Sequence, residues 1–171
     1  MKGCIQVYTG NGKGKTTAAL GLALRAAGCG LEVFIAQFAK KRICGEHISL
    51  KRFHDLITVK RYGSKKFITG KPSKRDIEIA QKGLREASAA IASGKYDVVI
   101  LDEANDAAAI GLISIENLIT LIDSKPYAVE LVITGRNAHK NIIRRANLVT
   151  EMREVKHYYR NGIKARKGIE Y

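Results

Sequence analysis

The turn from residue 9 to residue 17 is rich in glycine, lysine and threonine, an order of side chains that suits the binding of a polyphosphate. A β-like run, residues 4–8, precedes this turn, and a helical run, residues 18–27, follows it. A glycine-rich turn between strand and helix leaves backbone N–H groups free to converge on an anion, and the helix dipole adds roughly half a positive charge there. Lys15 supplies a mobile ammonium for phosphate oxygens, and the Thr16 hydroxyl is placed to ligate Mg²⁺.

We therefore predict a nucleoside-triphosphate site in this turn. Its predicted ATP-binding residues are Thr9, Gly10, Asn11, Gly12, Lys13, Gly14, Lys15, Thr16 and Thr17. The spacing departs at one point from the pattern G-x-x-x-x-G-K-[ST], because Thr9 occupies the position of the first glycine. The alternative is a turn without a ligand, which the strand–turn–helix context disfavours.

Two neighbouring carboxylates, Asp102 and Glu103, end a continuous apolar run that begins after Asp97. Such a run predicts a parallel strand covered on both faces, and parallel sheets place ligands at the carboxyl ends of their strands. A carboxylate at that edge can hold Mg²⁺, directly or through water, opposite Thr16. The predicted metal residues are therefore Thr16, Asp102 and Glu103. The sequence does not separate Asp102 from Glu103, and a helix-capping pair is the alternative for both.

Two arginines are further candidates for ATP binding. Arg136 follows a strand that ends at Thr134, so it can face the same edge of the sheet, and a surface arginine at a helix start is the equal alternative. Arg25 lies in the helix after the turn and reaches phosphate only if its face of the helix points that way. A solvated or paired side chain is the favoured interpretation of Arg25.

The rest of the chain alternates strands with helices. Strands are predicted at residues 31–38, 56–59, 97–102, 129–134 and 148–152 and helices at 16–27, 74–93, 105–110, 114–122 and 137–146, with 47–53 ambiguous. This alternation predicts an α/β fold, a three-layer P-loop NTPase domain of the RecA-like type with a mainly parallel sheet. We expect one domain over residues 1–171, with a mobile loop at about 61–74 and an irregular tail at about 153–171.

The charge balance is strongly basic, because 30 Lys and Arg stand against 16 Asp and Glu, a formal net charge of +14. Nucleic-acid binding is one interpretation, but the basic residues are spread along the chain and no nucleic-acid motif accompanies them. A solvated surface of the thermophile type and docking of anionic ligands or of an acidic protein partner are the alternatives.

No apolar run approaches the roughly 18 residues that a membrane helix needs, and no signal-peptide pattern precedes the first strand. We therefore expect a cytoplasmic protein without membrane contact. Cys4, Cys29 and Cys44 are odd in number and widely spaced, which favours reduced thiols over a disulfide framework or a zinc site.

Short motifs along the whole chain are together more specific than the glycine-rich turn alone. They comprise residues 10–19, 37–38, 97–105, 134–136, 149–153, 155–157, 162–165 and 167–171. In this order they resemble the P-loop type of corrinoid adenosyltransferase, the ATP:cob(I)alamin or cob(I)yrinic acid a,c-diamide adenosyltransferase family. Thr9 then fits the pattern, because the loop of this family also reads Thr-Gly-Asn-Gly-Lys-Gly-Lys-Thr.

The resemblance implies an unusual use of a phosphate loop in adenosylcobalamin biosynthesis or salvage. The Co(I) of a reduced corrinoid attacks C5′ of ATP, which lies in reversed sense along the loop, and inorganic triphosphate leaves. No protein nucleophile is implied, so the protein positions the substrates and stabilises the leaving triphosphate, with Lys15 as a supporting group. Mg²⁺ on Thr16 and the Asp102–Glu103 pair is implied to bridge phosphates.

Phe67 is the implied corrinoid contact and second supporting group. Family members of one branch carry a Gly-Phe-Thr-Trp segment, whose aromatic side chains displace the lower ligand of cobalt and make Co(II) reducible. The corresponding loop here has Gly63 and Phe67, but the chain has no Trp. Tyr62 is the alternative aromatic group. The resemblance also implies a homodimer, and the basic surface suits an acidic electron donor such as a flavodoxin.

Two other classes of function compete with adenosyl transfer. The net charge, together with Glu103 as a water-activating base, favours a RecA-like ATPase acting on nucleic acid. A nucleotide-binding regulatory module without turnover is the third hypothesis. The product separates the three, since they yield triphosphate with an alkylated corrinoid, ADP with phosphate, or nothing.

Overall fold

Short apolar runs supply the strands of a parallel sheet. The structure is a computed structural model that describes residues 2–39, 43–64 and 70–171. The strands are β1 (Ile5–Thr9), β2 (Val33–Phe38), β3 (Ile57–Tyr62), β4 (Val98–Asp102), β5 (Glu130–Thr134) and β6 (Leu148–Glu151). Within the described residues they form one six-stranded sheet in the order β3-β2-β4-β5-β1-β6, and every pairing in it is parallel.

Helices connect the strands. They are α1 (Lys15–Gly28), α2 (Gly45–Leu50), α3 (Lys74–Ala92), α4 (Ala104–Ala109), α5 (Ile115–Asp123) and α6 (Lys140–Ile143), with short 3-10 helices at Lys51–Phe53 and Tyr158–Asn161. The start of α3 shows how local sequence sets a boundary, because the Ser73 hydroxyl accepts a hydrogen bond from the backbone N–H of Asp76 and the Asp76 carboxylate bonds back to Ser73. This capping box fixes the helix start that the sequence predicts.

The core lies in two layers, one on each face of the sheet. Val33 and Ile35 of β2 pack with α1, whereas Phe34 and Phe38 of the same strand pack with α3. Successive side chains of a strand point to opposite faces, so an apolar run fills both cores. The predicted three-layer α/β architecture with a mainly parallel sheet is therefore confirmed.

The last helix is shorter than predicted. α6 spans four residues rather than the ten predicted at 137–146. Asn137 has a φ of 53°, a left-handed conformation that a helix does not continue through. His139 then caps the helix, since its Nδ1 accepts a hydrogen bond from the Asn141 N–H at 3.3 Å. The turn chemistry before α6 therefore overrides the apolar periodicity that predicted an earlier start.

The segment predicted as a loop at 61–74 is reduced at both ends. β3 continues to Tyr62, which pairs with Phe38 of β2, and α3 begins at Lys74. Phe67 falls in residues 65–69, which lie outside the described part of the chain. The tail after residue 153 contains the 3-10 helix Tyr158–Asn161 and otherwise irregular backbone. Among the described helices, none combines the length and apolar character needed to cross a bilayer.

Candidate active site

The predicted phosphate loop joins β1 to α1 at the carboxyl edge of the sheet. Gly14 caps α1 with a φ of 117°, and Gly10 at the loop entry has a φ of 92°, conformations that glycine adopts without steric cost. Gly14 has no side chain that could cap the first turn of α1. The backbone N–H groups of that turn therefore remain available to an anion. The loop therefore has the backbone geometry that binds phosphate at a helix start.

Glycine is also required where the loop touches the end of β6. A Cβ at Gly10 would lie 2.5 Å from the Met152 carbonyl oxygen, and one at Gly12 would lie 2.7 Å from the same atom. The Gly12 N–H donates to this oxygen at 2.7 Å. Met152 and Arg153, which follow β6, therefore pack against the phosphate loop and support it from behind.

Lys15 reaches across the loop. Its Nζ donates to the carbonyl oxygens of Gly10 and Gly12, at 2.6 and 2.7 Å. An ammonium has three N–H donors, so these two bonds orient Lys15 and leave a third donor for a phosphate oxygen. The Lys15 ammonium is in this way held against the backbone of the loop.

Charges of both signs surround this ammonium. Burial lowers the pKa of Lys15 below its ordinary value, and the Arg136 guanidinium acts in the same direction. The carboxylates of Asp106, Glu103 and Asp102 oppose this lowering. The edge of the sheet therefore brings two cations and three acidic groups together. A polyphosphate at this edge needs a further cation to offset the carboxylates.

Asp102 is the centre of a buried hydrogen-bond network. Its Oδ1 accepts from the Thr16 hydroxyl at 2.9 Å and from the Thr134 hydroxyl at 2.7 Å, and its Oδ2 accepts from the Gln37 amide at 3.0 Å. Asp102 is 0% exposed. The network forms because β2, β4 and β5 are neighbours in the sheet, so their carboxyl ends meet at α1.

The oxygen atoms at this edge suit Mg²⁺. Mg²⁺ is held in proteins by one or two carboxylates together with substrate phosphates, and it prefers oxygen ligands. The Thr16 hydroxyl and the Asp102 carboxylate lie in contact, and Glu103 follows at the start of α4. Three hydrogen bonds and complete burial fix the Asp102 carboxylate and orient the Thr16 hydroxyl. Glu103 is partly buried at the same edge.

Comparisons with known proteins identify the family of the chain. A sequence profile described as "ATP:corrinoid adenosyltransferase BtuR/CobO/CobP" matches residues 1–171. The chain belongs to this family. A corrinoid adenosyltransferase of Pseudomonas aeruginosa is 34% identical over 171 residues, which cover 99% of this chain and 84% of that protein. One from Escherichia coli K12 is 35% identical over 173 residues, covering 99% and 86%.

A solved structure supports the fold alone. A KaiC-like protein from Pyrococcus horikoshii OT3 superimposes with a TM-score of 0.59 at 16% identity, covering 88% of this chain and 73% of that one. The likeness supports the three-layer α/β fold that the alternating strands and helices predict.

Arg136 is an exposed residue that follows β5 at the carboxyl edge of the sheet, and its backbone contacts Asp106, a carboxylate that the sequence analysis did not single out. The Arg136 backbone N–H donates to Asp106 Oδ2 at 2.8 Å. Gly135 has a φ of 129°, and a Cβ there would lie 2.6 Å from the same oxygen. Asp106 thus holds the turn after β5 close to α4. Asp106 is the third residue of α4, and an acidic residue in the first turn of a helix is favoured by the helix dipole, which was the signal available in the sequence.

The tail contacts the phosphate loop through Lys13. The Lys13 Nζ donates to the Tyr158 hydroxyl and to Glu170 Oε1, both at 2.9 Å, and to the Ile169 carbonyl oxygen at 3.3 Å. The Tyr158 hydroxyl also donates to Glu170. Hydrogen bonds from Tyr158 and Lys13 hold the pKa of the Glu170 carboxyl well below its usual range. The irregular tail has no periodic pattern in its sequence, so the contacts of Lys13 with the tail could not be predicted from the sequence.

Other loop residues predicted to bind ATP differ in exposure. Asn11 is exposed at the crest of the loop and Thr17 is exposed in the first turn of α1. The Thr9 hydroxyl accepts from the Ala138 N–H at 3.4 Å. Thr9 therefore ties the loop to the segment that precedes α6.

Arg25 and Tyr62 lie away from the loop edge. Arg25 is exposed in the last turn of α1, and at 1.5 Å of rise per residue it lies about 15 Å along the helix from Lys15. Tyr62 is 5% exposed in the core under α3, where a Cβ at Gly83 would lie 2.5 Å from its ring. Its hydroxyl donates to Glu86 at 2.8 Å. Tyr62 therefore packs against α3 rather than presenting its ring to a corrinoid, which corrects that expectation.

Proposed function

We propose that the protein transfers the 5′-deoxyadenosyl group of ATP to the Co(I) of a reduced corrinoid. The electron pair of Co(I) forms a cobalt–carbon bond to C5′, the C5′–O bond breaks, and triphosphate leaves with that bond's electron pair. The observation that carries the proposal is the family match over residues 1–171, and it is supported by a glycine-rich loop that Lys15 spans and whose Thr16 bonds Asp102. No step requires a nucleophilic side chain.

The residues at the loop stabilise the leaving triphosphate. Negative charge builds on the leaving triphosphate as the C5′–O bond breaks, and the uncapped N–H groups of the first turn of α1 can donate to its oxygens. Lys15 adds a positive charge that two loop carbonyls already orient. Arg136 is electrostatically coupled to Lys15 and supplies a second cation. Removing one preorganised donor of this kind typically costs about 3 to 4 kcal/mol of transition-state stabilisation.

Mg²⁺ is the proposed metal cofactor. When bound, it would neutralise phosphate charge and fix the geometry of the polyphosphate. Thr16 is the residue we propose to ligate it, with Asp102 orienting the Thr16 hydroxyl and Glu103 completing the acidic edge. Asp102 can perform this orientation because its own position is set by three hydrogen bonds.

The corrinoid side of the proposal rests on resemblance and on charge. We propose Phe67 as the aromatic side chain below the corrin, and Tyr62 is omitted because it is buried under α3. An acidic electron donor such as a flavodoxin is proposed to reduce the bound corrinoid, since a net charge of +14 favours an acidic partner. We further propose a homodimer that works in the cytoplasm.

Product analysis tests the proposed function. Anaerobic incubation with chemically prepared cob(I)alamin and Mg-ATP is expected to yield adenosylcobalamin and triphosphate in equal amounts. Lys15→Ala is assayed in the same way to test the phosphate loop. Lys95→Ala is its matched control, because Lys95 is an exposed lysine that pairs with Glu32. Formation of ADP and phosphate, stimulated by DNA or RNA, would favour the ATPase alternative, which the family match does not support. Nucleotide binding without any product would indicate the regulatory module.

A further inference from the structure

A buried histidine continues the hydrogen-bond network of Asp102 away from the phosphate loop. His47 Nε2 lies 2.5 Å from Gln37 Oε1, and Gln37 Nε2 donates to Asp102 Oδ2 at 3.0 Å. His47, Gln37 and Asp102 are 8%, 1% and 0% exposed. The chain of hydrogen bonds therefore runs from α2 through β2 to β4 inside the protein, where water does not compete for the polar groups.

The backbone of α2 sets the proton position on this histidine. The Cys44 N–H donates to His47 Nδ1 at 2.9 Å, so Nδ1 carries a lone pair and not a proton. The neutral imidazole then carries its proton on Nε2, which faces Gln37. His47 is thereby fixed as a hydrogen-bond donor to Gln37.

The direction of this bond determines which way the Gln37 amide points. Because Oε1 accepts from His47, the Gln37 NH₂ group must face the Asp102 carboxylate, where it can donate. The reverse orientation would place the amide oxygen against a carboxylate and the amide NH₂ against the His47 N–H. Gln37 and Asp102 are direct neighbours in the β2–β4 register, so no other orientation satisfies both ends.

We propose that His47 is a positioning residue for the Thr16–Asp102 pair. His47 orients Gln37, Gln37 holds Asp102 Oδ2, and Asp102 Oδ1 is left to accept from Thr16 and Thr134. The inference rests on the proposed function, since it assigns Thr16 to Mg²⁺ in the ATP complex. Groups that orient a metal ligand from behind commonly change metal affinity when they are replaced.

A metal site at His47 itself is the competing use of this histidine. Ligand atoms of Cys44, Glu46 and His47 lie within 4.8 Å of one another. Both ring nitrogens of His47 are engaged, however, one by the Cys44 N–H and the other by Gln37. An imidazole needs a lone pair directed at the metal, so the hydrogen-bond chain is the better assignment.

Two substitutions of His47 separate positioning from helix capping. His47→Gln carries an amide N–H near the place of Nε2–H and keeps a donor toward Gln37. His47→Asn carries its amide near the place of Nδ1, so it keeps the bond from the Cys44 N–H but does not reach Gln37. His54→Asn is the control, because His54 is an exposed histidine whose Nδ1 lies 3.1 Å from the Lys51 carbonyl oxygen.

Mn²⁺ is the probe, and its dissociation constant for the protein–ATP complex is measured by electron paramagnetic resonance beside the thermal unfolding midpoint. We expect His47→Asn to weaken Mn²⁺ binding by about 10-fold, His47→Gln to restore most of the affinity, and His54→Asn to bind like wild type. Wild-type affinity in His47→Asn, or no recovery in His47→Gln relative to it, would overturn the proposal. The Mn²⁺ measurement requires no adenosyl transfer. Metal binding can therefore be measured even if the protein does not catalyse the proposed reaction, and the two failures are distinguishable.

A double-substitution cycle decides the case in which both His47 variants are destabilised. Gln37→Met removes the amide while keeping a similar side-chain volume and leaves His47 in place. If His47 acts through Gln37, Gln37→Met and Gln37→Met/His47→Asn weaken Mn²⁺ binding equally. Additive losses would mean that His47 affects the site independently of Gln37, and the positioning role would be wrong.

Discussion

On the Asp102 side of the phosphate loop, the contacts are buried hydrogen bonds, whereas on the tail side they are exposed ion pairs. Asp102 is 0% exposed, while the side chains of Lys13 and Glu170 are 43% and 17% exposed. A buried polar group that loses its partner suffers the full cost of desolvation, and an exposed ion pair is screened by water and salt. The same loop is therefore held by buried contacts at its Asp102 edge and by more exposed contacts at its tail edge.

The comparison predicts the largest effects where the loop meets the buried edge. Lys15→Ala and Thr16→Ala are expected to reduce adenosyl transfer by at least about 100-fold, because each removes a preorganised group at the triphosphate. Lys15→Ala is expected to change the free energy of unfolding by less than about 1 kcal/mol, because the Lys15 ammonium is directed at the ligand edge. Thr16→Ala removes one donor to the buried Asp102 carboxylate and is expected to cost about 1 to 3 kcal/mol. Single-turnover assays and denaturant unfolding measure the two quantities, and near-normal turnover in either variant would contradict the site.

Substitutions of Asp102 and Glu103 compare a fully buried carboxylate with a partly buried one at the same edge of the sheet. Asp102→Asn places an NH₂ group either against the Gln37 amide NH₂ or against the Thr16 and Thr134 hydroxyls, so we expect a loss of about 1 to 3 kcal/mol in unfolding free energy. It should also raise the Mg²⁺ concentration for half-maximal turnover by about 10-fold or more. Glu103→Gln is expected to leave stability within about 0.5 kcal/mol. If both variants and wild type gave identical Mg²⁺ titrations, Asp102 and Glu103 would have no role in metal binding and would be helix-capping residues only.

Phe67 extends the comparison to the corrinoid. A four-coordinate Co(II) is easier to reduce, whereas Co(I) already lacks the lower ligand, so Phe67→Ala is expected to impair turnover from Co(II) with a mild reductant. Turnover from chemically prepared Co(I) is expected to be largely retained. Both rates are followed by the cobalamin absorbance spectrum. An equal fall in both assays would make Phe67 part of a binding surface, and no fall in either would end its proposed role.

The dependence of turnover on ionic strength tests whether an acidic electron donor docks on the basic surface of the protein. If an acidic donor docks on it, donor-coupled turnover is expected to fall steeply as salt rises through the range where the Debye length drops below about 10 Å. Turnover with a small chemical reductant serves as the control and is expected to fall much less. Equal salt dependence in the two assays would remove the docking proposal.

The smallest effects are expected at the tail. Glu170→Gln removes the acidic partner of Lys13 and is expected to change the KM for ATP only a few-fold while making the tail more susceptible to limited proteolysis. Glu154→Gln is the control, because Glu154 pairs with Arg160 within the tail. A loss of turnover as large as that of Lys15→Ala would show that the tail belongs to the catalytic edge.

The tail contact also has a defined pH dependence. The pKa of Glu170 is lowered in the folded protein by hydrogen bonds from Tyr158 and Lys13. The contact therefore contributes fully above the ordinary Glu pKa of about 4.3 and is lost as the pH falls through the lowered value. Proteolytic release of the tail is expected on acidification in wild type, and Glu170→Gln is expected to show it at neutral pH.

Local patterns in the sequence were sufficient for the phosphate loop and for the sheet. The order of glycines, Lys15 and Thr16 predicts an anion site because loop conformation and helix start are properties of neighbouring residues. The apolar run that ends at Asp102 predicts a buried parallel strand because burial on both faces leaves no polar alternation. Both interpretations follow from contacts within a few residues along the chain, which periodicity and spacing describe directly.

Contacts between distant segments were decided by tertiary structure alone. Gln37 meets Asp102, 65 positions away in sequence, because β2 and β4 are adjacent in register, and His47 reaches Asp102 only through Gln37. Lys13 and Glu170 are 157 positions apart. No local pattern encodes such distances, since they depend on strand order and on the path of an irregular tail. The sequence by itself determined that the chain has a phosphate loop in a parallel sheet, and packing decided which side chains hold that loop in place.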